Sequence, residues 1–138
     1  MINLKEKLKG KKPSSNYDEN NVFARILRGE IPCDKVYEDD DLLAFNDISP
    51  AANVHVLVVP KGKYTSFADF VDHASTAEIA NFFDTVGQIA RELGVEETGY
   101  RLITNHGKEA SQSVPHFHVH ILGGQPLGGL IPGDNSAR

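Results

Sequence analysis

Residues 115–122 read P-H-F-H-V-H-I-L, with a glycine pair behind at 123 and 124. Histidines occupy 116, 118 and 120, and apolar side chains alternate with them at 117, 119 and 121. Successive side chains of a β-strand point to opposite faces. The spacing therefore predicts a strand over His116–Leu122 that carries imidazoles on one face and Phe117, Val119 and Ile121 on the other. The apolar face suits packing on a helix, which leaves the histidine face to a cleft or to solvent. Half of the chain's six histidines stand on this face, too many for an incidental polar surface.

The partner helix is legible further upstream. Ser75-Thr76-Ala77-Glu78 has the form of a capping box, with Ser75 as N-cap and Glu78 at N3. Ile79, Phe82, Phe83, Val86, Ile89, Ala90 and Leu93 follow at helical spacing, and Gly94 stands where a helix-ending glycine belongs. Val54–Val59 is a dense β-branched and aliphatic run stopped by Pro60, hence a buried strand. Lys35–Glu38 and Leu42–Asp47 read as a hairpin around Asp39-Asp40-Asp41. Phe23, Ile26 and Leu27 share one face of a short helix closed by Gly29 and Pro32. Phe67–Val71 suits a short helical piece, and Tyr100–Asn105 a further strand. From Gly123 the tail is too rich in Gly and Pro for regular structure. The expectation is an α+β domain over residues 21–138: a five-stranded, mainly antiparallel sheet, one long helix and a short N-terminal helix. Residues 1–20 are expected to form a flexible arm, polar and without apolar period.

Length and composition narrow the function. A chain of 138 residues suits one domain with a single core. No apolar run approaches the roughly 18 residues of a membrane span. The N-terminal lysines are not followed by the apolar stretch of a secretory signal. Cys33 is the only cysteine, which rules out an internal disulfide and a Cys-rich metal site. A cytoplasmic protein without membrane attachment is expected. The net charge is −5; residues 1–20 hold five lysines against three acids, which leaves −7 for the body. That acidic body repels a phosphodiester backbone and argues against a nucleic-acid binder. A single nucleotide held by local donors is still compatible with it.

Two chemistries suit three histidines on a strand. For metal binding, residues i and i+2 lie roughly 6.6–6.8 Å apart and i and i+4 about 13 Å, whereas zinc holds nitrogen at about 2.0–2.1 Å. The three cannot close on one ion without strain, and a metal would have to draw in His55, His106 or Cys33. For group transfer, a neutral imidazole is a good nucleophile toward phosphorus, and its ordinary pKa of about 6.5 leaves it largely neutral at pH 7. Donors must offset the phosphate's own charge. The flanking imidazoles supply them, and Asn105, Ser111, Gln112 and Ser113 add amides and hydroxyls just upstream, although the same four suit a turn. Neither a metal nor a cofactor is called for.

These residues also carry a family resemblance. H116-F-H-V-H-I-L122 resembles the histidine-triad pattern H-φ-H-φ-H-φ-φ, with φ apolar. Supporting blocks are F-A-R-I-L-R-G-E-I-P at 23–32, A-F-N-D-I-S-P at 44–50, H-V-L-V-V-P-K at 55–61 and Q-S-V-P-H at 112–116. Together they span nearly all of residues 21–124, in order. The chain is similar to the histidine-triad nucleotide-binding proteins of the Hint branch, bacterial type, and L-G-G at 122–124 favours that branch. The last triad residue is His, unlike the Gln of the sugar-phosphate nucleotidyltransferases. Neither the zinc finger nor the basic surface of aprataxin-like repair enzymes is found.

The resemblance implies roles. His118 looks like the nucleophile that takes a nucleoside monophosphate covalently, and His120 like the phosphate-binding residue beside it. His116 and His55 resemble supporting members of an imidazole network. Ser113 is similar to the hydroxyl at the leaving group, Asn105 and Gln112 to phosphate-pocket residues, and Asp47 to the ribose acceptor. Phe23, Ile26, Ile31, Phe45 and Ile48 resemble the apolar base slot, and suit core positions equally. The implied protein is a homodimeric purine nucleoside phosphoramidase that needs no metal. A dinucleoside polyphosphate hydrolase and a nucleotide-binding partner protein with incidental hydrolysis are the alternatives. Two departures bear on the leaving group and the slot: the chain has no tryptophan, and Asn46 stands where an aromatic or histidine side chain is frequent in relatives.

Overall fold

The computed structural model describes residue 2 and residues 16–132. The rest of the expected arm and the end of the tail, 133–138, lie outside the described residues. Helix α1 (Val22–Leu27) starts where the Asn21 carboxamide oxygen accepts the Ala24 N–H, which satisfies one orphan donor of the first turn. Strands β1 (Lys35–Glu38) and β2 (Leu42–Asn46) form the expected hairpin. Asp39 closes its turn: one carboxylate oxygen accepts from the N–H groups of both Asp41 and Leu42. β3 (Val54–Pro60) follows, then α2 (Phe67–His73), capped by the Ser66 hydroxyl and two residues longer than its apolar pattern suggests.

Helix α3 (Thr76–Glu92) is the expected long helix, and the Ser75 hydroxyl accepts the Glu78 N–H at 3.0 Å. The Glu78 carboxylate turns to the Tyr64 hydroxyl at 2.9 Å, tying the helix start to the connection after β3. At the other end Gly94 adopts φ +78°. Its N–H and that of Val95 bond back to the carbonyls of Arg91 and Ala90, and Val95 is buried; this is a Schellman closure. Among the described residues no helix is long and apolar enough to cross a membrane.

With β4 (Tyr100–Ile103) and β5 (Val119–Gly123) the sheet runs in the order β1-β2-β3-β5-β4, and every pairing is antiparallel. Both faces of β2 and β3 are buried. One face packs Leu42, Ala44, Val56 and Val58 against α2 and α3 through Phe70, Phe82, Val86 and Ile89. The other face packs Leu43, Phe45, Leu57 and Val59 against Phe23 of α1. Phe117, Val119 and Ile121 all join the helix-side core, with Phe117 stacked on Phe70 at 4.6 Å. The apolar half of the 115–122 pattern thus packs as its spacing requires.

The strand itself is shorter than expected. Pairing starts at Val119, so His116 and His118 precede the ladder. Extending the register Val58↔Val119 would set Phe117 opposite Pro60, which has no N–H to give. The Phe117 N–H goes instead to the Tyr64 carbonyl at 2.7 Å, and the Pro60 carbonyl takes the His116 ring at 2.8 Å. The proline that ends β3 therefore frees the first triad residue from the sheet. Smaller corrections fall at Asp47, Thr104 and Asn105, which lie just beyond the ends of β2 and β4, and at Phe83, which is exposed on α3.

Candidate active site

His55 and His120 meet because of the register. Leu57 on β3 faces His120 on β5, so His55, two residues along β3 on the same face, is its diagonal neighbour. Their rings lie 5.2 Å apart, and those of His118 and His120 are also 5.2 Å apart. Phe23 of α1 sets its edge against His118 at 4.8 Å and an 84° interplanar angle. Three of the four expected histidines therefore form one contiguous cluster, with His116 directly behind it.

Hydrogen-bond partners assign each ring a tautomer. His118 Nδ1 lies 2.7 Å from the His116 carbonyl oxygen. A carbonyl only accepts, so Nδ1 carries the proton and Nε2 keeps its lone pair. His116 Nε2 donates to the Pro60 carbonyl at 2.8 Å, which leaves Nδ1 to accept from the Tyr17 hydroxyl at 2.5 Å. His55 Nδ1 accepts the Ala51 N–H at 3.0 Å, so its proton sits on Nε2. That proton is given to His120 Nδ1 at 2.9 Å, with Asp47 Oδ2 also near at 3.4 Å. His120 is consequently protonated on Nε2. The set provides one bare nitrogen, on His118, beside a donor N–H on His120.

Burial favours the neutral forms of the three triad rings. Burial, the largest cause, pushes His116 down to about 4, with the nearby His118 acting in the same direction and the Pro60 carbonyl opposing. Burial also takes His120 down to about 4, reinforced by His118 and His55 and opposed by Asp47. His118 is lowered by burial, while the His116 carbonyl and Asp47 act the other way. A neutral His118 is the form that can attack an electrophile.

His118 and His120 line a cavity of about 750 Å³. Its lining includes the apolar Phe23, Ile26, Ile31, Phe45 and Ile48, together with Asp47 and Ser113. Ile48 is 98% exposed, an apolar side chain presented to solvent on the rim. Asp47 is partly committed: Oδ1 accepts the Ser49 N–H at 2.8 Å. Further lining comes from Val22, Pro32, Cys33, Asp34, Asn46, Leu57 and Val114, none of which, Asn46 apart, the motifs single out for the site. Leu57 was detectable, since it alternates with the helix-side residues of β3. Burial pushes the Cys33 thiol above its ordinary range.

Asn105 and Gln112 lie outside this lining. Gln112 instead braces the backbone. Its carboxamide oxygen accepts the Gly107 N–H, and its nitrogen donates to the carbonyls of Thr65 and Val114. The loop it clasps holds Ser111 at φ 60°, a left-handed conformation that costs a non-glycine residue about 1 kcal/mol or more. This clasp holds the approach to Ser113. Tyr17, which the sequence places in the arm, is a site neighbour with no periodic signal to reveal it.

Among the described residues, one set of side chains could hold a metal ion. Ligand-type atoms of Asp47, His55 and His120 all lie within 4.8 Å of one another. His116 and His118 stand outside that set. An ion there would have to displace the hydrogen bond between His55 and His120.

Fold and site together define a small α+β protein in which a neutral, backbone-anchored imidazole faces an apolar pocket edged by a carboxylate and a hydroxyl. The HIT domain matches residues 28–127, and the chain belongs to the HIT family. It is 53% identical over 118 residues to an uncharacterised 13.2 kDa HIT-like protein of Azospirillum brasilense, covering 86% of this chain and 97% of that one. It is 40% identical over 113 residues to the purine nucleoside phosphoramidase of Escherichia coli K12, covering 82% and 94%. Among solved structures, a histidine triad protein from Clostridium difficile superposes with TM-score 0.73 at 40% identity, over 84% of this chain and all (100%) of that one. A HIT family hydrolase from Clostridium thermocellum gives TM-score 0.74 at 40% identity, over 82% and 97%.

Proposed function

We propose that the protein is a purine nucleoside phosphoramidase that works through a nucleotidyl-His118 intermediate. The observation that carries this reading is the bare Nε2 of His118, held by its Nδ1–H bond to the His116 carbonyl. The similarity to the Escherichia coli phosphoramidase supports it. In the first step His118 Nε2 bonds to phosphorus while the P–N bond breaks. The amine leaves with the bond's electron pair and takes up a proton from solvent, with the Ser113 hydroxyl at its side; the attacking water of the second step returns one. The ring is then cationic, and its Nδ1–H bond to the carbonyl stabilises that charge. His120 Nε2–H donates to the phosphoryl oxygens. Water then attacks phosphorus, the P–N bond to His118 breaks, and nucleoside monophosphate leaves with His118 restored. The apolar wall of Phe23, Ile26, Ile31 and Phe45 holds the base, and Asp47 accepts from the ribose hydroxyls.

The test is a turnover panel of nucleoside phosphoramidates and dinucleoside polyphosphates, with wild-type protein and His118→Ala. The variant is expected to fold and to lose turnover by several orders of magnitude. Rapid quenching of wild-type protein is expected to give a mass increase of one nucleoside monophosphate on the peptide that contains His118. EDTA is expected to leave the rate unchanged. An adduct elsewhere refutes the nucleophile, and faster cleavage of polyphosphates than of phosphoramidates transfers the reading to P–O–P hydrolysis. Binding of nucleotide without turnover of either class indicates a nucleotide-binding partner protein.

A further inference from the structure

Tyr17 lies outside the matched HIT domain, residues 28–127, yet it reaches the centre of the site. His116 is 0% exposed, and its two ring nitrogens are engaged by the Pro60 carbonyl and the Tyr17 hydroxyl. The Tyr17 ring also packs edge-on against the imidazole at 5.6 Å and 74°. The segment that carries it is pinned just beyond this contact. Glu19 pairs with Lys63 at 2.6 Å, the Glu19 carbonyl accepts from Arg28 at 2.7 Å, and the Asp18 carbonyl accepts from Asn21 at 2.8 Å. The hydroxyl is therefore delivered by a fixed strap, not by a passing side chain.

Removal of that hydroxyl would leave a fully buried acceptor without a donor, which is costly in a dry interior. The cheapest escapes are rotation of the His116 ring, a change of its tautomer, or entry of water. Each disturbs residue 116, and the carbonyl of that residue is the anchor of His118 Nδ1 at 2.7 Å. We propose that Tyr17 is a positioning residue: its hydroxyl satisfies His116 Nδ1, holds the ring on the Pro60 carbonyl that sets its Nε2–H tautomer, and so keeps the nucleophile in line. The inference rests on the reading of His118 as nucleophile. Because Tyr17 does not line the pocket, it acts on the chemical step and not on nucleotide affinity.

The experiment is Tyr17→Phe, which keeps the ring and its packing. In ¹⁵N spectra of histidine-labelled wild-type protein, His116 is expected as a single tautomer with Nδ1 unprotonated. In the variant its ring signals are expected to move, and those of His118 with them. Turnover of a nucleoside phosphoramidate is expected to lose about tenfold in kcat with KM unchanged. A variant with wild-type kcat overturns the proposal whatever its thermal stability, because a purely structural contact would lower only the latter. A rise in KM with kcat unchanged overturns it as well. If wild-type protein turns over no phosphoramidate, the functional reading fails, and the ring signals alone decide on Tyr17: unchanged signals in Tyr17→Phe then refute it.

Discussion

His55 Nε2 and His120 Nδ1 lie 2.9 Å apart across the β3–β5 pairing, and the proton between them belongs to His55. The Ala51 N–H dictates this, since it occupies His55 Nδ1 at 3.0 Å. A backbone amide in the β2–β3 connection thereby decides which nitrogen of His120 is a donor.

The first prediction follows from that relay. His55→Ala removes the proton on which His120 Nδ1 depends, and His120 is freed to adopt either tautomer. One neutral hydrogen bond is worth about 1 kcal/mol, so kcat is expected to fall roughly five- to tenfold, with KM little changed. Steady-state kinetics on a phosphoramidate substrate check this. Wild-type kcat in His55→Ala would show that the relay has no part in the reaction.

The second prediction concerns Asp47. Its Oδ1 caps the Ser49 N–H at 2.8 Å, and an asparagine oxygen can accept the same bond. Asp47→Asn therefore keeps the turn and removes the charge offered to ribose hydroxyls. KM for ribonucleotide substrates is expected to rise about tenfold, or about 1.4 kcal/mol, with a smaller change in kcat. The 2′-deoxy analogue is expected to lose little more in the variant than in the wild type, because both changes remove one interaction. Equal losses for ribo and deoxy substrates would sink the ribose role.

The contrast between His118 and Tyr17 shows what the sequence can carry. The alternation at 115–122 separates imidazoles from core residues, and that separation is found even where the ladder has ended, because Phe117 packs on Phe70 without strand pairing. The caps at Ser75 and Gly94 are local chemistry and are found where the spacing places them. The end of the ladder at Val119 depends on which residue opposes Phe117, and register cannot be read from one strand alone. Gln112 looks like a phosphate donor by residue type, but its hydrogen bonds run to backbone groups, one of them as distant in the chain as Thr65. Tyr17 gave no signal, because a polar segment without apolar period is indistinguishable from a free arm until its contact 99 residues away is known.

The third prediction concerns assembly. Among the described residues, β4 stands at an edge of the sheet, in the order β1-β2-β3-β5-β4. It presents Leu102 at 44% exposure, and Phe83 is exposed on α3. An edge strand with apolar side chains invites pairing, and two-fold pairing of identical edges is the simplest closed solution. Light scattering at micromolar concentration is expected to give twice the monomer mass, and Leu102→Lys to lower it. A strictly monomeric wild-type protein contradicts the expectation.

The last prediction concerns pH, where the buried rings leave different traces on rate and on stability. His118 and His120 titrate below the ordinary histidine range because burial disfavours their charged forms. The neutral rings needed for attack therefore persist as pH falls through about 6.5. After subtraction of the buffer blank, kcat/KM is expected to stay level from about pH 8 to below 6.5 and to fall only in more acid solution. Stability behaves differently. His116 binds its proton at about 4 when folded, against about 6.5 in the unfolded chain. Between these values the unfolded state holds more protons, so stability rises with pH. The contribution is complete above about 6.5 and is lost as pH falls toward 4, about 2 kcal/mol of it by pH 5. Urea denaturation at about pH 7.5 and pH 5 measures that loss, and His116→Gln, which cannot titrate, is expected to show less of it. Midpoints that coincide at the two pH values, or an acid limb of the rate centred at or above about 6.5, would mean that these imidazoles are not the dry, neutral groups on which the mechanism depends.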